Sequence, residues 1–92
     1  LRAYPIRDDG SLGSYKTLST WGEDYRGIDG ITLDREGNIV VTAGWEVSGA
    51  GPTIYVFSPT GRVFETHPVP CNRPTNCYFG GPDMGTLFVT ST

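Results

Sequence analysis

The feature that most constrains this chain is an internal repeat. The segment "GIDGITLDREGNIVVTAG" (27–44) aligns with "PTNCYFGGPDMGTLFVTST" (74–92) at an offset of 47 residues, which becomes 48 after one inserted residue. The other halves align more loosely, since "LRAYPIRDDGSLG" and "TIYVFSPTGRVF" each read as a strand, a turn containing Gly, and an outgoing strand. A period near 50 residues with four strands per unit is typical of β-propeller blades.

Hydrophobic periodicity excludes helices and predicts strands. No stretch keeps apolar residues at i, i+3, i+4 and i+7 over three turns. Short β-rich runs recur instead and are separated by turn chemistry such as "DREGN" and "SPTGR". The pattern predicts eight strands, at about 1–7, 14–20, 28–34, 38–43, 53–58, 62–68, 75–80 and 86–91.

The order of these strands predicts an all-β propeller unit in an unusual phase. With the strands of a blade lettered A to D from the axis outward, the chain reads C-D, then A-B-C-D, then A-B. We therefore expect one domain over 1–92, made of a half blade (1–20), a full blade (21–70) and a half blade (71–92).

Charge and cysteine content narrow the function classes. Seven Lys and Arg against ten Asp and Glu give a net charge of −3 with no basic cluster, which argues against nucleic acid and anionic membrane partners. No apolar run approaches the roughly 18–20 residues of a membrane span. Cys71 and Cys77 form no CxxC and have only His67 as a companion ligand, so we expect two free thiols, a reducing compartment and a cytoplasmic location.

The start of the third strand carries two residues that strands disfavour. Asp29 is followed by Gly30, although Asp is depleted in strands and Gly weakens them. Two disfavoured residues together indicate a position selected for something other than packing.

Several phrases of the sequence resemble one family. "GIDGITLDREGNIVVT", "IYVFSPTGRV" and above all "PTNCYFGGPDMGTLFVTST" look like the gluconolactonase and regucalcin (senescence marker protein) family. The resemblance covers nearly the whole chain. It implies a six-bladed propeller with a divalent metal at the mouth of the central channel, and metal-dependent hydrolysis of a sugar-type lactone by water attacking a polarised carbonyl.

The resemblance also gives Asp29 a role. It implies that Asp29 lies at the inner end of strand A, binds the metal and helps to activate water, with Gly30 letting the backbone bend beside the ion. Ca²⁺ is the first choice because a carboxylate suits a hard cation, with Zn²⁺, Mg²⁺ or Mn²⁺ as alternatives. The repeat alignment places Asn76 at the equivalent position, as a metal ligand or substrate contact.

Each of these two residues has an arginine three positions earlier. Arg26 and Arg73 are candidates for binding the carboxylate of a lactone substrate or product, because Arg recognises carboxylates bidentately. The alternative is that both are solvated loop charges, paired with Glu23 or Asp24.

The chain also departs from the family pattern. The resemblance implies further ligands from an "EGP"-like and an "SNG"-like phrase, and neither occurs here. Two oxygen ligands cannot hold Ca²⁺, which takes about six to eight. The alternative function is therefore a non-catalytic propeller fragment, or a self-assembling ring that acts as a binding or scaffold module.

The strand phase further predicts that the chain, if complete, assembles. The terminal A-B of one copy can pair with the leading C-D of the next, so that three copies give six blades in a closed C3 homotrimer. Three Asp29 carboxylates on one axis would then repel one another unless a cation neutralises them.

Overall fold

The computed structural model describes residues 1–23 and 25–92, and every regular element within them is a β-strand. This confirms the predicted all-β class and is consistent with a fragment of a β-propeller. The described residues contain no helix long and apolar enough to cross a membrane. The strands are β1 Arg2–Ala3, β2 Lys16–Thr17, β3 Ile28–Leu33, β4 Ile39–Trp45, β5 Ser48–Phe57, β6 Val63–Pro68, β7 Pro74–Gly80 and β8 Thr86–Ser91.

The described strands form three antiparallel sheets. β1 pairs with β2, β3 to β6 form a four-stranded sheet in chain order, and β7 pairs with β8. This grouping agrees with the predicted strand phase, while the division into blade segments stays a prediction. The trimer and the six-bladed ring also stay predictions.

Three of the predicted strand ranges were wrong. The second strand was expected over 14–20, but β2 is only Lys16–Thr17. The first strand was expected over 1–7, but β1 ends at Ala3 and only an isolated bridge between Ile6 and Leu12 follows. Pro5 interrupts the ladder, because proline has no N–H to donate. The fifth strand was expected from residue 53 but begins at Ser48.

The longer fifth strand results from a tight hairpin in the Gly-rich segment. Trp45 pairs with Ser48, so the β4–β5 ladder continues to the end of this segment. Gly44 adopts a φ of 86°, and a side chain there would overlap the Gly51 carbonyl. Only glycine allows the two strands to stay this close through the irregular pairing.

One face of the four-stranded sheet packs against the β7–β8 hairpin. Val40 from β4 and Ile54 and Val56 from β5 form a buried cluster with Cys77 from β7, and Phe79 and Leu87 pack against this cluster. Burial raises the pKa of the Cys77 thiol. Cys71 and Cys77 are both free, as predicted.

The opposite face of the same sheet is covered by the segment that follows β2. Val41 and Phe57 are fully buried there. The Trp21 ring meets the rings of Tyr55 and Phe57 edge-on, at centroid distances of 5.7 and 6.1 Å. Full burial of such side chains contributes about 1.5–3 kcal/mol each. The central strand β4 and the second half of β5 are thus buried on both faces, whereas β6 is exposed along its length.

The two outer hairpins, in contrast, keep apolar side chains exposed. Tyr78 and Phe88, which are cross-strand partners on β7 and β8, are 69% and 59% exposed. Tyr4 and Tyr15 near the β1–β2 hairpin are also exposed. The Cα radius of gyration is 14.1 Å, whereas a compact chain of this length would have about 12 Å. The outer sheets therefore have surface left to cover.

The turn between β3 and β4 is organised by Asp34, as its sequence context predicts. Its Oδ1 accepts hydrogen bonds from the backbone N–H groups of Glu36 and Asn38, at 3.0 and 2.8 Å. Its Oδ2 accepts one from the Asn38 side-chain amide at 2.8 Å. The hydrogen bond from the Asn38 side chain is the main reason that the pKa of Asp34 lies below its usual value, and these backbone donors lower it further.

This turn gives a pH-dependent prediction. The folded-state pKa of Asp34 lies below the unfolded value of about 3.9, so its carboxylate stabilises the fold above that pH and loses this contribution as the pH falls through the folded pKa. We expect Asp34→Asn to lower the urea midpoint at about pH 7, and the difference from the unsubstituted chain to shrink towards about pH 3. Glu36→Gln removes a charge from the same turn and serves as the control. A difference independent of pH would contradict the prediction.

Candidate functional site

Strands β3 and β7, which the blade assignment predicts to be equivalent, both carry a β-bulge near their first residues. In β3 the extra residue lies between Ile28 and Ile31, and in β7 it lies between Pro74 and Asn76. Asp29 lies within the first bulge, and its side chain is exposed. Bulges re-aim side chains and are common beside active sites. An acidic residue is tolerated here because the local strand is already irregular.

Gly30 lies where these two strands meet. It is buried, and a Cβ at this position would overlap the Asn76 Cα and Oδ1 atoms and lie 2.7 Å from the Thr75 carbonyl oxygen. Room beside an ion was the expected reason for this glycine. The structure gives a different reason, which is that β7 occupies the space where a side chain would be. The contact brings the start of β7 at Asn76 against β3 at the residue that follows Asp29.

The Asp29 carboxylate is held by Arg26. The Arg26 Nη2 donates to Asp29 Oδ2 at 2.5 Å, and the two side chains are 21% and 49% exposed. The Arg26 Nη1 donates to the carbonyl oxygens of Gly44 at 2.7 Å and Pro74 at 3.1 Å. The expected alternative pairing of Arg26 with Glu23 is replaced by this ion pair, and Asp24 lies outside the described residues.

The other two predicted site residues are arranged differently. Asn76 is exposed, and its Oδ1 accepts a hydrogen bond from the backbone N–H of Cys77 at 2.9 Å. Arg73 is exposed, and its Nε donates to Thr92 Oγ1 at 3.1 Å. The structure therefore brings Arg26, Asp29 and Asn76 together around Gly30, while the Arg73 side chain is engaged at the last residue of the chain.

Two threonines that the sequence did not mark as site residues form hydrogen bonds to the backbone at the two bulges. Thr42 is fully buried, and its Oγ1 accepts a hydrogen bond from the Gly30 N–H at 2.9 Å. The Thr90 Oγ1 lies 2.8 Å from Thr75 Oγ1 and donates to the Asn76 carbonyl at 3.4 Å. The signal was present in the repeat, because the "IVVT" and "LFVT" phrases align these two threonines.

Two cavities adjoin these residues. One, of about 350 Å³, is lined by Arg26 together with the aromatic residues Trp21, Tyr25 and Tyr55. The other, of about 210 Å³, lies beside Asn76 and is lined by Tyr78 and Phe88 among others. Asp29 lines neither cavity, and its side chain is about half exposed to solvent.

The donor atoms are oxygens, which a hard divalent cation prefers, but there are too few of them to hold one. Asp29 offers its second carboxylate oxygen, and Asn76 offers an amide oxygen that is already hydrogen-bonded. No group of three or more His, Cys, Asp or Glu within 1–23 and 25–92 is arranged to hold a metal ion. Ca²⁺ takes about six to eight oxygen ligands. Further ligands would have to come from outside one copy of these residues.

Comparison with known proteins decides the family. The model of the SMP-30/Gluconolactonase/LRE-like region matches residues 1–92. The chain belongs to this family. The family resemblance predicted from the sequence is thereby confirmed.

The curated relatives of this chain include named lactonases. The chain is 31% identical over 93 residues to 6-deoxy-6-sulfogluconolactonase of Pseudomonas putida, which covers 100% of the chain and 30% of the relative. It is 32% identical over 82 residues to regucalcin of Xenopus laevis, covering 89% and 26%. It is 32% identical over 63 residues to pentonolactonase XacC of Haloferax volcanii, covering 68% and 20%. The chain spans less than a third of the length of these relatives.

The contact at Gly30 gives a prediction about stability. In Gly30→Ala the new methyl group has to displace the β7 backbone, so we expect a loss of about 1–3 kcal/mol in the free energy of unfolding, measured with urea. Gly27→Ala is the matched control, because a Cβ there would only touch the Trp21 ring at 3.6 Å. Equal effects of the two substitutions would show that β3 and β7 are not in close contact.

Proposed function

We propose that this chain contributes to a metal-dependent lactonase of the gluconolactonase kind, which opens a sugar-type lactone at the mouth of a propeller channel. The family match and the lactonases among the relatives support this reaction class. The observation that carries the proposal is the close contact of Gly30 with Asn76, which brings the start of β7 against β3 at the residue next to Asp29.

The proposed roles follow from the chemistry of these groups. Asp29 and Asn76 would hold the cation, for which Ca²⁺ is the first choice, together with ligands from outside these residues. A bound divalent cation supplies a Lewis acid that polarises the lactone carbonyl. The exposed oxygen of Asp29 would also accept a proton from the attacking water. Both Nη atoms of Arg26 already donate within the chain, whereas Arg73 donates to Thr92 through Nε, so Arg73 is the proposed contact for a substrate carboxylate.

The cysteines bear on where such a protein works. Cys71 and Cys77 are free, and Cys77 is buried in the core between two sheets. Free thiols persist in reducing compartments. This supports the proposal of a cytoplasmic location.

Substitution of Asp29 tests the proposed function. We expect Asp29→Ala to reduce lactone hydrolysis by about 10²-fold or more, since a positioned proton acceptor contributes 10²–10⁴-fold. The measurement is acid release from gluconolactone in a pH-stat, above the spontaneous rate, with added Ca²⁺ and again with a chelator. Asp83→Ala, in the turn between β7 and β8, is the control. Hydrolysis that is unaffected by Asp29→Ala, or absent from the unsubstituted chain, would contradict the proposal.

A non-catalytic ring is a second candidate, favoured by the exposed apolar faces. Tyr78 and Phe88 on the β7–β8 hairpin and Ile31 and Leu33 on β3 are exposed. A β-propeller covers such faces by packing one blade against the next. For the chain as given, we propose that β8 of one copy pairs with β1 of the next in a C3 homotrimer, which acts as a binding or scaffold module when no catalytic ligand set is completed.

Native mass spectrometry tests this assembly. We expect a species with the mass of three chains of 10.0 kDa. Phe88→Ser should shift the population towards single chains, because it places a polar side chain on the apolar face. Phe64→Ser, on the exposed outer strand β6, is the control and should leave the trimer intact. A mass of one chain for the unsubstituted protein would contradict the trimer.

A further inference from the structure

The cavity of about 350 Å³ beside Arg26 is formed by two segments of the chain that meet over β5. One wall is the segment 19–26, which leads from β2 into β3, and the other is the tip of the β4–β5 hairpin at residues 44 and 48–51. Its volume lies within the range of about 300–1,000 Å³ that is usual for small-molecule sites. A single copy of the chain therefore provides a space large enough for a small ligand.

Three aromatic rings in mutual contact line this cavity. The Trp21 ring meets the rings of Tyr55 and Phe57 edge-on, and the Tyr55 and Phe57 centroids are 6.2 Å apart. Phe57 is fully buried, whereas Trp21 and Tyr55 are only half-buried. Aromatic rings pack favourably against a further ring in edge-to-face or offset-stacked geometry. The two half-buried rings thus have surface left for such a contact.

A fourth ring, that of Tyr25, lies where the two walls meet. A Cβ at Gly49 would lie 3.0 Å from Tyr25 Cγ, and one at Gly22 would lie 3.3 Å from Tyr25 Cδ2. The Tyr25 N–H also donates to the Gly22 carbonyl at 2.9 Å. The residue is nevertheless 55% exposed. Two glycines therefore hold an exposed ring in a defined place, which lowers the entropy lost when a ligand packs against it.

The charges around the cavity favour an uncharged ligand. Arg26 lines the cavity, and its Nη2 is paired with Asp29, which does not. Within 1–23 and 25–92, no Asp or Glu lines the cavity. An anion would have to compete with Asp29 for Arg26, and a cation would lie beside a guanidinium. Either would place an unpaired charge in a partly shielded space, which is costly.

We propose that this cavity is a binding site for an uncharged aromatic compound that carries one polar substituent, as a phenol or an arylamine does. The rings of Trp21, Tyr25 and Tyr55 would contact the aromatic part. Ser19 and Ser48 also line the cavity, and their hydroxyl groups can donate to or accept from the substituent. The site is independent of the proposed lactone hydrolysis, since neither Asp29 nor Asn76 lines this cavity.

The experiment is a fluorescence titration with N-phenyl-1-naphthylamine, an uncharged arylamine that absorbs where tryptophan emits. The chain has two tryptophans, so Trp45→Phe leaves Trp21 as the energy donor. We expect saturable energy transfer from Trp21 to the bound probe. Anilinonaphthalene sulfonate has the same rings with an added anion, and we expect it to bind about 10-fold more weakly or worse.

Two pairs of variants in the Trp45→Phe background locate the probe. Ala50→Phe places a ring in the cavity and should weaken binding about 10-fold or more, because it occupies the ligand's volume. Val47→Phe adds the same ring to the same hairpin at an exposed position outside the lining, and should leave the affinity unchanged. Tyr25→Leu should weaken binding about 2- to 10-fold. Tyr4→Leu, an exposed tyrosine far along the chain, is its control.

Each other outcome overturns a defined part of the proposal. Equal effects of the two hairpin variants would overturn the location, as would weaker binding by Phe88→Ser, which would assign the probe to the exposed face of β7 and β8. Tighter binding of the sulfonate would overturn the uncharged class, and displacement of the probe by excess glucose would overturn the aromatic class. Should Ala50→Phe fail to fold by circular dichroism, Tyr25→Leu decides. Absence of saturable transfer would overturn the site and leave the proposed lactone hydrolysis standing.

Discussion

The close approach of β3 and β7 at Gly30 is the contact on which the site depends. Two sheets packed through side chains normally lie about 10 Å apart. Here the Cα of Asn76 occupies the place of a missing Cβ, so the inner strands touch backbone to backbone. Only because the strands converge can the Arg26 side chain reach both Asp29 and the Pro74 carbonyl. Gly30 belongs to a residue type that weakens strands, yet it is the point of contact between the two sheets at this end.

The rest of the core is consistent with a stack of wedge-shaped sheets. The middle strands of the four-stranded sheet, β4 and β5, are buried on both faces, by Cys77 and its neighbours on one side and by Trp21 on the other. Their segments 39–43 and 53–57 accordingly read as nearly continuous apolar runs, as strands buried on two faces do. The β7–β8 hairpin is covered on one face only, which leaves Tyr78 and Phe88 in water. Completion of the stack by further sheets would bury these residues in the same way.

The sequence predicted the elements that local chemistry determines. The turn at Asp34, the apolar strands and the strand phase all follow from residues near one another in the chain. It did not predict the pairing of Arg26 with Asp29 and Pro74, nor the reason for Gly30, because these depend on how separate sheets stack. The repeat predicted equal roles for Arg26 and Arg73, yet the residue equivalent to Asp29 in the second repeat is Asn76, which has an uncharged amide. Without a carboxylate to bind, Arg73 donates to Thr92 instead.

The ion pair also changes the electrostatics expected of a cyclic assembly. Three bare carboxylates around one axis would repel one another and require a cation for stability. In this structure Asp29 is paired with Arg26 at 2.5 Å. In a cyclic assembly each copy would carry the same pair of opposite charges, so the repulsion between carboxylates would be largely offset without a metal.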